Sequence, residues 1–275
     1  MDAPQAAMLP DGRRLHLHHG PIDLIIEVFG SARDACHARA ITRFQTILKE
    51  LADELPHLRK TAGAHEFTGS TARRMAQATR RFDDFITPMA AVAGAVADEM
   101  LAALIAGGDV EKAYVNNGGD VAFYLTPGQS VEAAGASGTI VIGFEDTPRG
   151  LATSGWRGRS HSLGIADAVT VAARNAAAAD AAATMIANKV DLPGHPEVRR
   201  APASTLAPDS DLGDRLVTTG VGELSGEEAR LALSRGATYA ERLIAENIIT
   251  EASLTLRGQT LIAADRLKTK DLTHA

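Results

Sequence analysis

A chain of 275 residues, 45% hydrophobic and 23% charged, can bury roughly 70–75% of its unfolded surface. One large domain, or two intimately packed halves, therefore needs no covalent staple. A net charge of −6, with no long Lys/Arg run, disfavours nucleic acid as a partner. The single cysteine, Cys36, excludes an internal disulfide and fits a reducing compartment, and aromatics at 4% leave Ala, Val, Leu and Ile to fill the core.

The first residues, MDAPQAAMLPDGRR, are acidic and proline-interrupted and offer no apolar leader. No stretch approaches 18 uninterrupted apolar residues, so a cytoplasmic chain without a membrane span is expected. Leu15, Leu17, Ile22, Leu24, Ile26 and Val28 alternate around Gly20–Pro21, which predicts two strands in a hairpin. His16, His18 and His19 lie at this hairpin and read as exposed strand histidines, since no second cluster with ligand spacing accompanies them. Helical spacing from Ala40 to Leu55 predicts a helix capped by Ser31 and ended by Pro56. Further helices are expected from about Ser70 and over about 89–105, the second stopped by Gly107–Gly108.

Two strand-like runs, 112–115 and 121–125, flank Asn116-Asn117-Gly118-Gly119-Asp120. Such a turn is a common hairpin connection, and its glycines also let backbone N–H groups approach a phosphate. Runs 139–144 and 167–173 read as strands, joined by a Gly/Ser/Arg-rich loop from Gly150 to Gly164. Within that loop, Thr153-Ser154-Gly155-Trp156-Arg157-Gly158-Arg159-Ser160-His161 offers hydroxyls, two guanidinium groups and an imidazole, a set suited to a diphosphate. The spacing is not that of a P-loop. An Ala-rich helix over about 175–188 places Asp180 and Thr184 one turn apart on one face, a hard oxygen pair suited to Mg²⁺ or Ca²⁺.

Residues 191–222, rich in Pro, Asp, Ser and Gly, read as an extended connection. An amphipathic helix over 224–249 opens with Ser225 and Glu228, a capping box, and a hairpin around Arg257–Gly258 closes the chain. The mixture of strands and helices, without strict alternation, predicts an α+β fold with a mainly antiparallel sheet and Ala-rich helices. Those helices and the terminal hairpin are free either to finish the core or to form a homo-oligomer interface.

The order of motifs resembles the ApbE family of flavin transferases, which move FMN from FAD onto a protein Thr or Ser with Mg²⁺. The resemblance rests on Ala90 to Asp98, Asn117-Gly118-Gly119-Asp120, Thr153-Ser154-Gly155, His161, Val169-Thr170-Val171 and Ala179-Asp180 through Thr184, and spans about residues 85–190. It implies a single T-fold-related ApbE-like domain over 1–275. It also implies a flavin nucleotide or other diphosphate as ligand, and a protein acceptor as partner.

Carried over, Asp180, Thr184 and the Ala90 carbonyl are metal ligands. Asn117, Gly118, Gly119, Asp120, Thr153, Ser154 and Gly155 line the nucleotide, and Arg157, Arg159 and His161 serve catalysis. Ala93 stands where the family has Lys, and the stretch after His161 lacks the family's Asp-Pro. Two functions are left open: FMN transfer or FAD hydrolysis, and a binding or accessory role, or an enzyme on another small phosphorylated substrate, on the same fold.

Overall fold

The computed structural model describes residues 3–135 and 138–264. Strands β1 (Gln5–Met8), β2 (Leu15–His19) and β3 (Ile22–Phe29) precede helices α1 (Arg33–Leu58), α2 (Ser70–Thr79) and α3 (Val92–Ile105). Then come β4 (Lys112–Asn117), β5 (Asp120–Leu125), β6 (Ser130–Gly135), β7 (Gly138–Gly143), β8 (Gly150–Ser154), β9 (Ala168–Ala173) and α4 (Ala176–Lys189). The chain finishes with β10 (Val198–Pro202), α5 (Ala203–Leu206), β11 (Leu216–Val221), α6 (Gly226–Ala245), β12 (Glu251–Leu256) and β13 (Gln259–Ala264). This is the α+β architecture expected, with a mainly antiparallel sheet.

Two compact units divide the chain. The first comprises Met1–Ala133, Ile140–Ala152 and Arg174–Ala181, and the second comprises Ala134–Thr139, Thr153–Ala173 and Ala182–Ala275. Strand β8 and helix α4 each begin in the first unit and end in the second.

In the first unit the ladder runs β1-β2-β3-β4-β5-β8, every pair antiparallel. Period-two alternation places Leu17, Leu24, Ile26, Val28, Ala113 and Val115 on one face, fully buried. Helix α3 packs on β4 and β5 and against α1 and α2. With its preceding turn, Pro88–Ile105, it is long and apolar enough to cross a membrane by length and composition, although Asp98 and Glu99 interrupt the apolar run. In the fold it is a core helix, buried continuously from Gly94 to Leu101.

In the second unit the hydrogen-bonded order is β8-β9-β12-β13, with β9–β12 and β12–β13 antiparallel and α6 packed on β12 and β13. Scarce aromatics are replaced by close backbone approach. A Cβ on Gly164 would lie 2.0 Å from the Ala187 carbonyl, and one on Gly236 would lie 2.4 Å from Val190 Cγ2.

Four expectations need correction. Helix α1 runs through Pro56 to Leu58, and its N-cap is Ala32 without a side-chain cap rather than Ser31. A proline in the last turn removes one hydrogen bond, and burial of Leu58 holds the turn in place. His19 is buried, not exposed. Residues 191–222 are not simply a connection, because β10 and β11 pair there as an antiparallel ribbon with a bulge at Arg199/Arg200. The stretch read as one loop from Gly150 begins with β8, and β6, also unexpected, joins β7 in a second ribbon.

Candidate functional site

The site in the first unit is built where two helices begin. A 3₁₀ turn, Pro88–Ala91, leads into α3, whose N-cap Ala91 has no side chain able to accept a hydrogen bond. The orphan N–H groups of that first turn are met from α4 instead: Asp180 Oδ2 accepts from the Gly94 N–H at 3.0 Å and its carboxylate also accepts from Ala93. The exchange is mutual. Asp98 of α3 accepts from the N–H groups of Ala176 and Ala177, at 3.0 and 2.9 Å, at the start of α4. Asn175 adds a local cap, its Oδ1 accepting from Ala178 at 2.8 Å. Glycine is required for the approach: a Cβ on Gly94 would lie 2.2 Å from the Ala176 carbonyl, and one on Gly150 would lie 2.1 Å from the Ala176 nitrogen.

Opposite this crossing lies the β4–β5 turn. The ladder extends to Asn117↔Asp120, so the connection shrinks to Gly118 and Gly119, both at positive φ (64° and 117°). The Gly119 N–H donates to Asn116 Oδ1 at 2.9 Å, and Asn117 Nδ2 donates to the Ala93 carbonyl at 3.0 Å, tying the turn to α3. Asp180 keeps part of its surface exposed, yet its carboxylate is enclosed. That burial first, and then the facing Asp120 carboxylate, push Asp180 well above the ordinary carboxylate range, against the pull of the Gly94 and Ala93 N–H groups. Burial likewise raises Asp98, opposed by the Ala177 and Ala176 N–H groups. Thus hydrogen bonds join Asp180 to Gly94 and Asn117 to Ala93, and the Asp120 charge acts on Asp180.

Of the other expected metal ligands, Ala90 lies in the 3₁₀ turn and Thr184 stands one turn beyond Asp180 on α4. Among the described residues no group of three or more His, Cys, Asp or Glu is arranged to hold a metal ion. The first unit offers instead the Asp180 carboxylate and, acting on it, the Asp120 carboxylate. Such all-oxygen chemistry fits Mg²⁺, which keeps several waters and usually takes one or two carboxylates together with substrate phosphates.

The second unit holds Thr153, Ser154, Gly155, Arg157, Arg159 and His161. Asp167 organises this loop: its Oδ1 accepts from Arg157 Nε at 2.9 Å and from Trp156 Nε1 at 3.2 Å, and its Oδ2 from the Arg257 N–H at 2.7 Å. The Arg157 guanidinium also lies over the Trp156 ring, 4.8 Å from its centroid. Gly155 permits the loop to close on Ala166–Asp167, since a Cβ there would meet the Asp167 carbonyl at 2.4 Å. Thr153 Oγ1 and Thr170 Oγ1 share a hydrogen bond of 2.9 Å, while Arg159 and His161 are exposed.

Sequence reasoning gave no role to Asp98 or Asp167. Asp98 did leave a signal, because an acidic pair in the middle of an apolar helix must find partners. Asp167, at the edge of a strand-like run, left none.

A sequence model of the family described as "AbpE bacteria" matches residues 6–262. The chain belongs to this family. Among curated relatives, a UPF0280 protein of Methanothermobacter thermautotrophicus is 40% identical over 129 residues, covering 44% of this chain and 48% of the relative. A UPF0280 protein of Methanothrix thermoacetophila is 39% identical over 124 residues, covering 43% and 51%. The chain spans about half the length of the curated relatives it matches. Among solved structures, the apo crystal structure of the Pseudomonas stutzeri flavinyl transferase ApbE matches with a TM-score of 0.46 and 13% identity over 97% of each chain.

Proposed function

We propose that this chain binds a flavin-nucleotide diphosphate with Mg²⁺ and acts on its diphosphate link, either moving FMN from FAD to a protein hydroxyl or releasing it to water. The supporting observation is the enclosed Asp180 carboxylate, bonded to the start of α3 and acted on by the Asp120 charge, in a chain of a family whose resemblance implies flavin transfer. The Asp120 charge disfavours ionisation of Asp180, and a divalent ion would favour it.

In this reading Asp180 and Thr184 supply side-chain ligands and the Ala90 carbonyl a third. Bound Mg²⁺ offsets charge on the diphosphate and polarises it. Asn117, Gly118, Gly119 and Asp120 line the nucleotide. Thr153, Ser154 and Gly155 approach the flavin portion or its phosphates. Arg159 supplies the cation for the leaving phosphate, because Asp167 and Trp156 already hold Arg157. His161 takes the proton of the attacking hydroxyl, whose oxygen bonds to the FMN phosphorus as AMP departs.

The second reading is binding without turnover, favoured by the neutral Ala93 where the family has Lys. Titration with FAD, with and without Mg²⁺, following Trp156 and flavin fluorescence while assaying AMP, separates the two. Saturable Mg²⁺-dependent binding with AMP release is expected. Binding without AMP supports the second reading, and absence of binding removes flavin from the function. Asp180→Asn is the suitable variant, since it keeps an acceptor for the Gly94 N–H, and it is expected to abolish turnover in a folded protein.

A further inference from the structure

Two anchors bracket the exposed residues 157–161 in the second unit. At the far end the Leu163 N–H donates to Asn188 Oδ1 at 2.9 Å, and the Thr218 N–H donates to the Ser162 carbonyl at 2.8 Å. At the near end the anchor is Asp167, one residue before β9. Its Oδ1 takes both Arg157 Nε and Trp156 Nε1, and its Oδ2 takes the Arg257 N–H.

Asp167 is itself held from the β12–β13 hairpin. Its own N–H donates to the Thr255 carbonyl at 2.9 Å. Arg257 takes φ 50°, a left-handed conformation that a side chain disfavours. The Arg257 guanidinium is bonded to the carbonyls of Val221 and Gly222, at the end of β11. One carboxylate thus ties the start of an exposed loop to two fixed elements.

These bonds supply position more than stability. The side chains of Arg157 and Asp167 are 57% and 24% exposed, and an ion pair so open to solvent adds little to folding. It does hold an indole and a guanidinium in one arrangement, with Arg157 stacked 4.8 Å from the Trp156 ring centroid. Gly158 follows at once, and a glycine there would let an unanchored stretch take many directions. Side chains ordered beforehand do not have to be ordered by the ligand.

We propose that Asp167 is a positioning residue, an assignment that rests on the flavin-nucleotide reading. Through Trp156 and Arg157 it sets the direction in which Arg159 and His161 meet the diphosphate. The test uses the full chain as parent, Asp167→Ala and Asp167→Asn, the last keeping an oxygen for Trp156 and Arg157. Without ligand, Asp167→Ala should shift Trp156 emission to the red and raise its quenching by acrylamide. Its circular dichroism and melting temperature should stay close to the parent's. FAD is then titrated with Mg²⁺ at high ionic strength, which screens the guanidinium that the variant releases. Affinity should fall at least roughly fivefold in Asp167→Ala, since two side chains must then be immobilised on binding. Asp167→Asn should lie nearer the parent in both readouts. An unchanged Trp156 signal in Asp167→Ala, equal losses in the two variants, or loss of the fold in both would overturn the assignment. Failure of the parent to bind FAD would end the flavin reading and this role with it, whereas binding that Asp167→Ala leaves intact would end this role alone.

Discussion

Glu99 of α3 is an acid held out of water by its hydrogen-bond partners. Burial alone would raise Glu99, but hydrogen bonds from Ser70, Arg74 and Arg43 outweigh it and hold the group below its ordinary range. Arg43 Nε and Arg74 Nε each reach it at 2.9 Å, and Arg43 continues to Glu50 Oε1 at 2.9 Å and Oε2 at 2.7 Å. Removing the hub leaves two guanidinium groups without their shared acceptor. Arg43 keeps Glu50 and Arg74 is partly exposed, so Glu99→Ala is expected to lower unfolding stability by about 1–3 kcal/mol and Glu99→Gln by less, as read from urea denaturation. A gentler case stands at the start of α6. There His195 first, and then the Ser225 backbone and side chain, bring Glu228 down to about 2. A depressed carboxylate stabilises the fold above its unfolded value, near 4.3 for Glu, and that contribution fades as pH falls towards the folded value. The melting-temperature gap between the parent and Glu228→Gln should thus be full at neutral pH and close between about pH 4 and pH 2. A gap that does not change over that window would contradict the coupling.

At the scale of elements, the reciprocal capping of α3 and α4 sets the geometry of the candidate site. Asp98→Ala strips acceptors from two buried N–H groups and is expected to cost at least about 2 kcal/mol by denaturant unfolding. Gly94→Ala places a methyl 2.2 Å from the Ala176 carbonyl, so the helices must separate. A loss of about 1–3 kcal/mol is expected, with Mg²⁺ affinity falling at the same time. The helices themselves were legible in the sequence, because α1, α2, α3, α4 and α6 are long enough for helical spacing and small-residue runs to declare them. The capping box of α6 was legible because both of its residues are local. The caps of α3 and α4 were not, since each helix is served by a residue about 80 positions away. Strands β6 and β10 were missed for a different reason. Ser130–Gly135 and Val198–Pro202 carry half-exposed or exposed residues throughout, so no apolar alternation marks them. The Gly118–Gly119 turn was legible as a hairpin, but that it faces α3 follows only from the Asn117 bond to Ala93.

For the whole molecule, the candidate residues Asn117 to Asp120 and Asp180 were legible as motifs, whereas the effect of the Asp120 charge on Asp180 was not, because it depends on the enclosure of Asp180. That effect makes a prediction about global stability. Asp120 and Asp180 oppose each other in the metal-free protein, so Asp120→Asn should raise its melting temperature in EDTA. A ligand that binds only the folded state stabilises it by RT ln(1 + [L]/Kd), about 2.7 kcal/mol at a hundredfold excess over Kd. For a chain of this length that corresponds to roughly 2–4 °C per kcal/mol. The parent should therefore gain several degrees with saturating Mg²⁺, while Asp120→Asn, already relieved of the repulsion, should gain much less. Because the chain carries a net charge of −6, any divalent cation also screens it diffusely, and NaCl at matched ionic strength removes that contribution from the comparison. Scanning both proteins with EDTA, Mg²⁺ and matched NaCl gives a crossing pattern if the pair is a metal site: the variant is the more stable without metal and the parent gains more with it. Equal Mg²⁺ responses in the two would mean that the carboxylates serve only to hold α3 and its neighbouring turn, and the Mg²⁺ reading would fall.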